Sequence, residues 1–238
     1  PQARELQLEG RPSLRWDWLS LDVGAETGVA THAAMAVKPL EPFLLWCSQP
    51  KSGSVRIRGG GAAAVEVALA LRARGQQPKL QLRGSQLNLG SKAANQLGEQ
   101  LLESAGIAIE ANCPDDAAAD LACTGSRGPS WLEASGLPTN PAGRVLTEAS
   151  LQVKGLPAVF ACGDCGVIED CLRAASGVWA VRSAPVLAAN LERWLNHSAR
   201  DSASAPSPRL QPWRPQARAL QLIGDGGAVS GRPRAVAF

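Results

Sequence analysis

SVRIRGGGAAAVEVALALRAR, from Ser54 to Arg74, is the stretch whose reading decides the fold. A short β-type run with Val55 and Ile57 meets three glycines, Gly59, Gly60 and Gly61, and an Ala/Val/Leu-rich segment carrying Glu66 follows. In a strand-turn-helix that receives a pyrophosphate, the first glycine allows the tight turn, the second lets the backbone approach the phosphates, and a third small residue packs the helix on the strand. Gly59, Gly61 and Ala64 stand at those three places. The free N–H groups at the start of such a helix favour an anion. Glycine turns before alanine-rich helices also occur without any ligand, so the motif needs company.

Working outward, Gly75-Gln76-Gln77-Pro78 breaks the helix and Lys79 to Arg83 alternates as a strand does. Ser91 to Ser104 carries Leu97, Leu101 and Leu102 at helical spacing, and after Gly106 the residues Ile107 and Ile109 open another strand. The order from Val55 to Glu110 is therefore β, α, β, α, β, which predicts a parallel, doubly wound sheet with the glycine turn at its first βα junction. Upstream, Arg4 to Leu8 and Leu14 to Val23 read as a hairpin and a strand ending at Gly24, and Pro39 and Pro42 delay any helix until Phe43. Downstream come a short strand at Asp120 to Gly125, short strands at Val145–Leu146 and Leu151–Val153, and an apolar strand from Pro157 to Ala161 that runs into Cys162-Gly163-Asp164-Cys165. Val178 to Leu195 is an amphipathic helix with Pro185 at its first turn or at a kink, His197 to Pro208 is a linker, and Ala219 to Val229 reads as a hairpin turning at Gly224 to Gly227.

The 238 residues, 45% hydrophobic and 19% charged with a net charge of +3, describe a globular chain. Lys and Arg are scattered, so there is no nucleic-acid footprint, and no apolar run approaches the roughly 18 residues of a membrane span. The chain opens on Pro1 and reads as a piece of a longer polypeptide. Of its six cysteines, Cys162 and Cys165 bracket Gly163-Asp164 as C-x-x-C. That spacing fits a redox disulfide, a zinc site completed by other ligands, or small residues packed beside a turn. His32 and His197 have no neighbouring nucleophile pattern, which argues against a hydrolase triad.

Three segments occur in one order: GGGAAAVE (Gly59 to Glu66), ACTGSRGPSWL (Ala122 to Leu132) and VFACGDC (Val159 to Cys165). Together they resemble the pyridine nucleotide-disulfide oxidoreductase superfamily, and more narrowly its type II NADH dehydrogenase-like branch, which includes the flavoprotein module fused ahead of selenide, water dikinase. LSLDVGAETG (Leu19 to Gly28), VKPLEPF (Val37 to Phe43), GVWAVRSAPVLAANL (Gly177 to Leu191) and ALQLIGDGGAV (Ala219 to Val229) extend the resemblance over nearly the whole chain.

The resemblance implies an α/β protein in which a Rossmann-like NAD(P)-binding domain is inserted into an incomplete FAD-binding domain. Its implied limits are 1–35 for the first FAD part, 36–151 for the NAD(P) domain, 152–200 for the returning FAD part, and 201–238 for a linker and hairpin. NAD(P)H would reduce FAD, and FAD would pass electrons to an unassigned acceptor. Gly59, Gly60, Gly61, Ala64, Glu66, Arg83 and Gly125 form the implied nicotinamide-dinucleotide set, while Asp164 would bond the sugar-alcohol chain of the flavin and Gly163 would let the backbone approach it. No catalytic side chain and no metal ligand is implied.

Some positions depart from the family pattern. A further glycine fingerprint is expected ahead of Pro1, and FAD binding is expected only where that segment is present. Arg83 stands where an acidic residue often holds the ribose, and Arg there suits a 2′-phosphate. Arg58 stands at an apolar strand position, and IEDCLRAASG (Ile168 to Gly177) lacks a Pro-Lys pair. These departures keep open a second reading, a non-catalytic nucleotide-binding or regulatory module derived from such an enzyme. A metal module built on the cysteines is a third. A cytoplasmic or membrane-peripheral location and a homodimer complete the expectations.

Overall fold

In the computed structural model, residues 3–28, 34–49, 53–198, 208–216, 220–223 and 234–237 are described. The chain divides into two compact units: a flanking unit made of Pro1–Ala25 and Ser126–Gln216, and an inserted unit made of Glu26–Gly125 and Ala217–Phe238.

The flanking unit starts with a hairpin, β1 (Glu5–Leu8) and β2 (Arg11–Arg15), and then β3 (Leu19–Leu21). In the inserted unit follow β4 (Glu26–Thr27), β5 (Met35–Ala36), α1 (Leu40–Ser48), β6 (Ser54–Arg58), α2 (Ala62–Ala73), β7 (Gln77–Gln81), α3 (Lys92–Ser104), β8 (Ala108–Glu110) and β9 (Leu121–Ala122). The chain then supplies the rest of the flanking unit: β10 (Ser126–Arg127), α4 (Ser130–Ala134), β11 (Val145–Thr147), β12 (Gln152–Val153), β13 (Leu156–Ala161), β14 (Gly166–Ile168) and α5 (Gly177–Ser198). Last come β15 (Leu220–Ile223) and β16 (Arg234–Ala237), which pair antiparallel. The expected hairpin is present, but its second strand lies at 234–237; the Gly224 to Val229 turn lies outside the described residues, as do His32 and most of the linker.

The sheet of the inserted unit has the order β5-β9-β6-β7-β8, and every neighbouring pair is parallel. The chain steps in one direction from β5 to β6, β7 and β8, and right-handed crossovers put α1, α2 and α3 on one face. Apolar residues explain why those helices stay there. Ala64, Val65, Ala68, Leu69 and Leu71 of α2 are buried, as are Ala94, Leu101 and Leu102 of α3, against Ile57, Leu80 and Leu121. Ser91 caps α3 by accepting the Ala94 N–H at 3.1 Å. The return from β8 to β9 runs the other way, so residues 111–120 cross the helix-free face.

α1 begins at Leu40, not at Phe43 as the prolines suggest. Pro42 falls in the first turn, where its missing N–H costs nothing and its fixed φ suits a helix.

In the flanking unit the sheet order is β14-β11-β12-β13-β3, with β13 parallel to β3 and β11 parallel to β14. The expected boundary at 151 therefore moves to 125. Val145, Leu146 and Thr147 pair with Gly166, Val167 and Ile168, which ties that segment to the sheet of the Asp164 turn. The first boundary moves from 35 to 25, because Met35 and Ala36 pair with Leu121 and Ala122 in the other sheet. α5 contains Pro185 and lays Val186, Leu187 and Leu191 on a core of Leu151, Phe160, Cys162 and Ile168. The fully buried Asn190 holds residues 208–216 to it, donating to Ser150 O and Gln211 O and accepting from Gln211 N at 2.7 Å.

Candidate functional site

The glycine turn sits at the switch point of the inserted sheet. β6 is the strand from which the chain moves outward to β7, and its other neighbour, β9, is reached only later. In open α/β sheets the crevice at the carboxyl ends of two such strands is where ligands bind. Gly59 has φ +141, and a Cβ there would overlap the Cys123 carbonyl oxygen, so backbone closes one side of the turn. Cys123 N donates to Arg58 O at 2.7 Å and Gly59 N to Gln81 O at 3.0 Å, fixing the turn to both neighbouring strands.

Gly61 is different. It caps α2 with an ordinary extended backbone, no side chain caps the helix, and a Cβ there would meet only Asn88 O at 4.0 Å. The turn is thus closed at its first glycine and open at the second, beside the N–H groups that begin α2. A phosphate fits this arrangement, because open space, unblocked backbone donors and a helix dipole coincide.

The other expected residues are placed as follows. Gly60 is under the next loop: Asn88 N donates to Gly60 O at 2.8 Å, and a Cβ on Gly60 would lie 3.1 Å from Leu82 Cδ2. Ala64 is fully buried between helix and strand. Glu66 is half-buried in the second turn of α2, beyond the first turn where a carboxylate couples best to the dipole. Arg83 is exposed just past β7, at the head of the loop 84–91. Gly125, with φ +96, accepts from Gly28 N at 3.1 Å. Burial pushes the Cys123 thiol up to about 12, so it stays protonated and acts as a packing residue.

Arg58 is buried on the helix-free face. Its Nη2 donates to Pro114 O and lies 3.3 Å from Asp115 Oδ1. Arg56, two residues earlier on the same face, forms a two-pronged bond to Asp120 at 3.0 and 2.9 Å. The two arginines hold the crossing segment 111–120 at its middle, through Pro114 and Asp115, and at its end, through Asp120. Arg58 is out of place only if both faces are covered by helices; with one face crossed by a loop, a cation there has oxygen atoms to meet.

Gly163 and Asp164 belong to the flanking unit, in a 3-10 turn (Gly163–Cys165) at the end of β13. Gly163 has φ +67, and a Cβ there would overlap the Asp22 carboxylate. Asp22 follows β3, the parallel neighbour of β13, and Cys162 N donates to Leu21 O at 3.0 Å. Burial, and then the charge of Asp164, raise the Asp22 carboxyl above its ordinary value. Two carboxylates at one turn accept hydroxyl donors and repel phosphate, so this donor set fits the polyol chain of a flavin and not its pyrophosphate.

Beneath the turn lies the buried Arg144. Its Nε donates to Asp164 O at 2.9 Å, and its Nη groups reach the Gly166 and Arg173 carbonyls, with Gly163 O at 3.5 Å. Neither Asp22 nor Arg144 stands out in the sequence; the LSLDVG segment at the end of a strand is the only signal for the first. Cys162 and Cys165 are free, buried and held neutral by burial. Cys165 Sγ bonds Cys162 O at 3.1 Å and Cys162 Sγ lies 3.4 Å from Ser183 Oγ, which is the behaviour of packing residues.

No protein-family model and no curated protein matches the chain. Solved structures do. A ferredoxin reductase from Rhodopseudomonas palustris is 20% identical at a TM-score of 0.66, over 94% of this chain and 62% of that one. A water-forming NADH oxidase from Lactobacillus brevis, bound to NADH, is 17% identical at 0.59, over 76% of this chain and 47% of that one. An NAD-dependent persulfide reductase from A. fulgidus is 14% identical at 0.66, over 94% and 45%. The fold is that of the FAD/NAD(P)-binding oxidoreductases, and the chain spans about half the length of the structures it resembles. Among the described residues, no helix is long and apolar enough to cross a membrane.

Proposed function

We propose that this chain is the nicotinamide-binding unit and part of the flavin-binding unit of an NAD(P)H oxidoreductase. The observation that carries the reading is the turn at the sheet's switch point, closed at Gly59 and open at Gly61. The Gly61 region and the first N–H groups of α2 receive the pyrophosphate of NAD(P)H, Ala64 keeps helix and strand in contact, and Arg83 faces the 2′-phosphate end, which favours NADPH. Gly125 and Glu66 complete the nucleotide set as flanking residues. Asp164, with Asp22 beside it, accepts hydroxyl groups of the flavin polyol, and Gly163 gives that chain backbone access. Arg144 holds the turn in place by bonding its carbonyls.

When bound, FAD supplies the hydride acceptor, so the protein's own task is orientation and exclusion of water, without a catalytic acid. The likeness to NADH oxidase, ferredoxin reductase and persulfide reductase folds supports this reading. An acceptor of the quinone or selenium-linked kind, a cytoplasmic or membrane-peripheral site of action and a homodimer are its extensions from the family resemblance.

The test is purification of the longest natural polypeptide containing this sequence, with visible spectroscopy and NADPH and NADH titrations. A flavin spectrum bleached by NADPH supports the enzyme, and Arg83→Ala is expected to weaken NADPH about tenfold while leaving NADH nearly unchanged. A colourless protein that binds NADPH without oxidising it is the non-catalytic module, and one that binds neither ends both readings.

A further inference from the structure

Behind the Asp164 turn the flanking unit holds a partly open cavity of about 30 Å³. This is room for one water-sized particle. Its wall includes Arg144, Thr147, Cys162, Arg173, Trp179 and Ser183, and among its lining residues there are two arginines and no carboxylate. Thr147 is 1% exposed and its Oγ1 has no hydrogen-bond partner. Arg173 Nε is buried and without a partner too. Arg173 is held in place from another side, its guanidinium lying 4.8 Å over the Trp179 ring.

A buried donor left unmatched costs roughly 1–3 kcal/mol, and more when it is charged. Arg144 matches neither group, since a guanidinium accepts no hydrogen bond and its own N–H groups are directed to the carbonyls of Gly163, Asp164, Gly166 and Arg173. Asp164 offsets the charge of Arg144, so a particle in the cavity meets a hydroxyl, thiols, ring edges and the unmatched guanidinium N–H of Arg173, with no carboxylate among the lining residues. Water can satisfy the hydrogen bonds but not the charge.

We propose that this cavity is a binding site for a monovalent inorganic anion of water size, of the halide class, held by Thr147 Oγ1 and Arg173 Nε. The anion neutralises Arg173 and sets the base on which the Asp164 turn rests. The inference is independent of nucleotide or flavin binding.

The experiment follows thermal unfolding of the full chain as chloride replaces gluconate at constant ionic strength, together with bromide substitution in crystals. From about 1 mM to about 300 mM chloride the midpoint is expected to rise by about 3–6 °C, and Thr147→Val and Arg173→Gln are each expected to flatten that rise. A bromide anomalous peak between Thr147 and Arg173 is expected in the wild-type chain, a readout that stands even where a variant fails to fold. Equal midpoints in chloride and gluconate, a chloride effect undiminished in both variants, or density in the cavity that carries no bromide signal would overturn the proposal.

Discussion

Two glycine turns at the carboxyl ends of parallel strands, those at Gly59 and Gly163, are closed by different things. At Gly59 the obstacle is backbone, the carbonyl of Cys123 on the neighbouring strand; at Gly163 it is a side chain, the carboxylate of Asp22. The first turn is stiff because no substitution elsewhere can remove a carbonyl. The second is conditional, since its glycine is needed in large part because Asp22 is there. A closed turn with one open flank suits an anion at a fixed place, whereas the carboxylate turn is adjustable and suits hydroxyl groups.

The largest expected effect is at the stiff turn. Gly59→Ala meets both the φ of +141 and the Cys123 carbonyl, and should cost about 4 kcal/mol in denaturant unfolding. Adding Asp22→Ala should not restore it. Gly163→Ala should cost about 3 kcal/mol, and here Asp22→Ala should recover about half, leaving the left-handed backbone penalty of about 1–2 kcal/mol. Equal responses of the two turns to Asp22→Ala would erase the distinction between them.

A smaller effect sharpens the comparison from beneath. Arg144→Met removes the charge-assisted donors to the Asp164 and Gly166 carbonyls, at about 2 kcal/mol, and hydrogen exchange should quicken at 163–166 while 59–65 stays protected.

The smallest is in pH, where the two units respond with opposite sign. Hydrogen bonds from Arg56 lower the Asp120 carboxyl in the inserted unit, so its contribution is present above the unfolded value near 3.8 and is lost as pH falls through the folded one. Asp22 in the flanking unit is raised by burial and by Asp164, so its contribution is present below that value and is lost as pH rises through the folded one. Acid titration of stability should therefore lose its downward limb in Asp120→Asn and its upward loss in Asp22→Asn.

Much of this frame could be read from residues alone. Gly59, Gly61 and Ala64 announce the strand-turn-helix because each answers a local steric demand, and the β, α, β, α, β order follows from periodicity within short windows. Arg58 was legible as an oddity but not as a partner of Pro114 and Asp115, because its role depends on which face of the sheet the 111–120 segment crosses. Asp22 gave only its place in LSLDVG and Arg144 no signal: one meets a turn 141 positions later and the other carbonyls 19 to 29 positions away, contacts that only the sheet order creates. The boundary at 125 was hidden for the same reason, as Val145 to Thr147 look like any short strand until β14 pairs with them.

The central claim is that a dinucleotide pyrophosphate rests in the open flank of the Gly59 turn, at Gly61. Gly61→Val tests it, because the backbone there is ordinary and extended and a Cβ meets nothing closer than Asn88 O at 4.0 Å, so the fold should survive. NADPH affinity measured by fluorescence titration should fall by about a hundredfold or more with the unfolding midpoint within a few degrees of wild type. Unchanged NADPH affinity in a well-folded Gly61→Val protein would contradict the account.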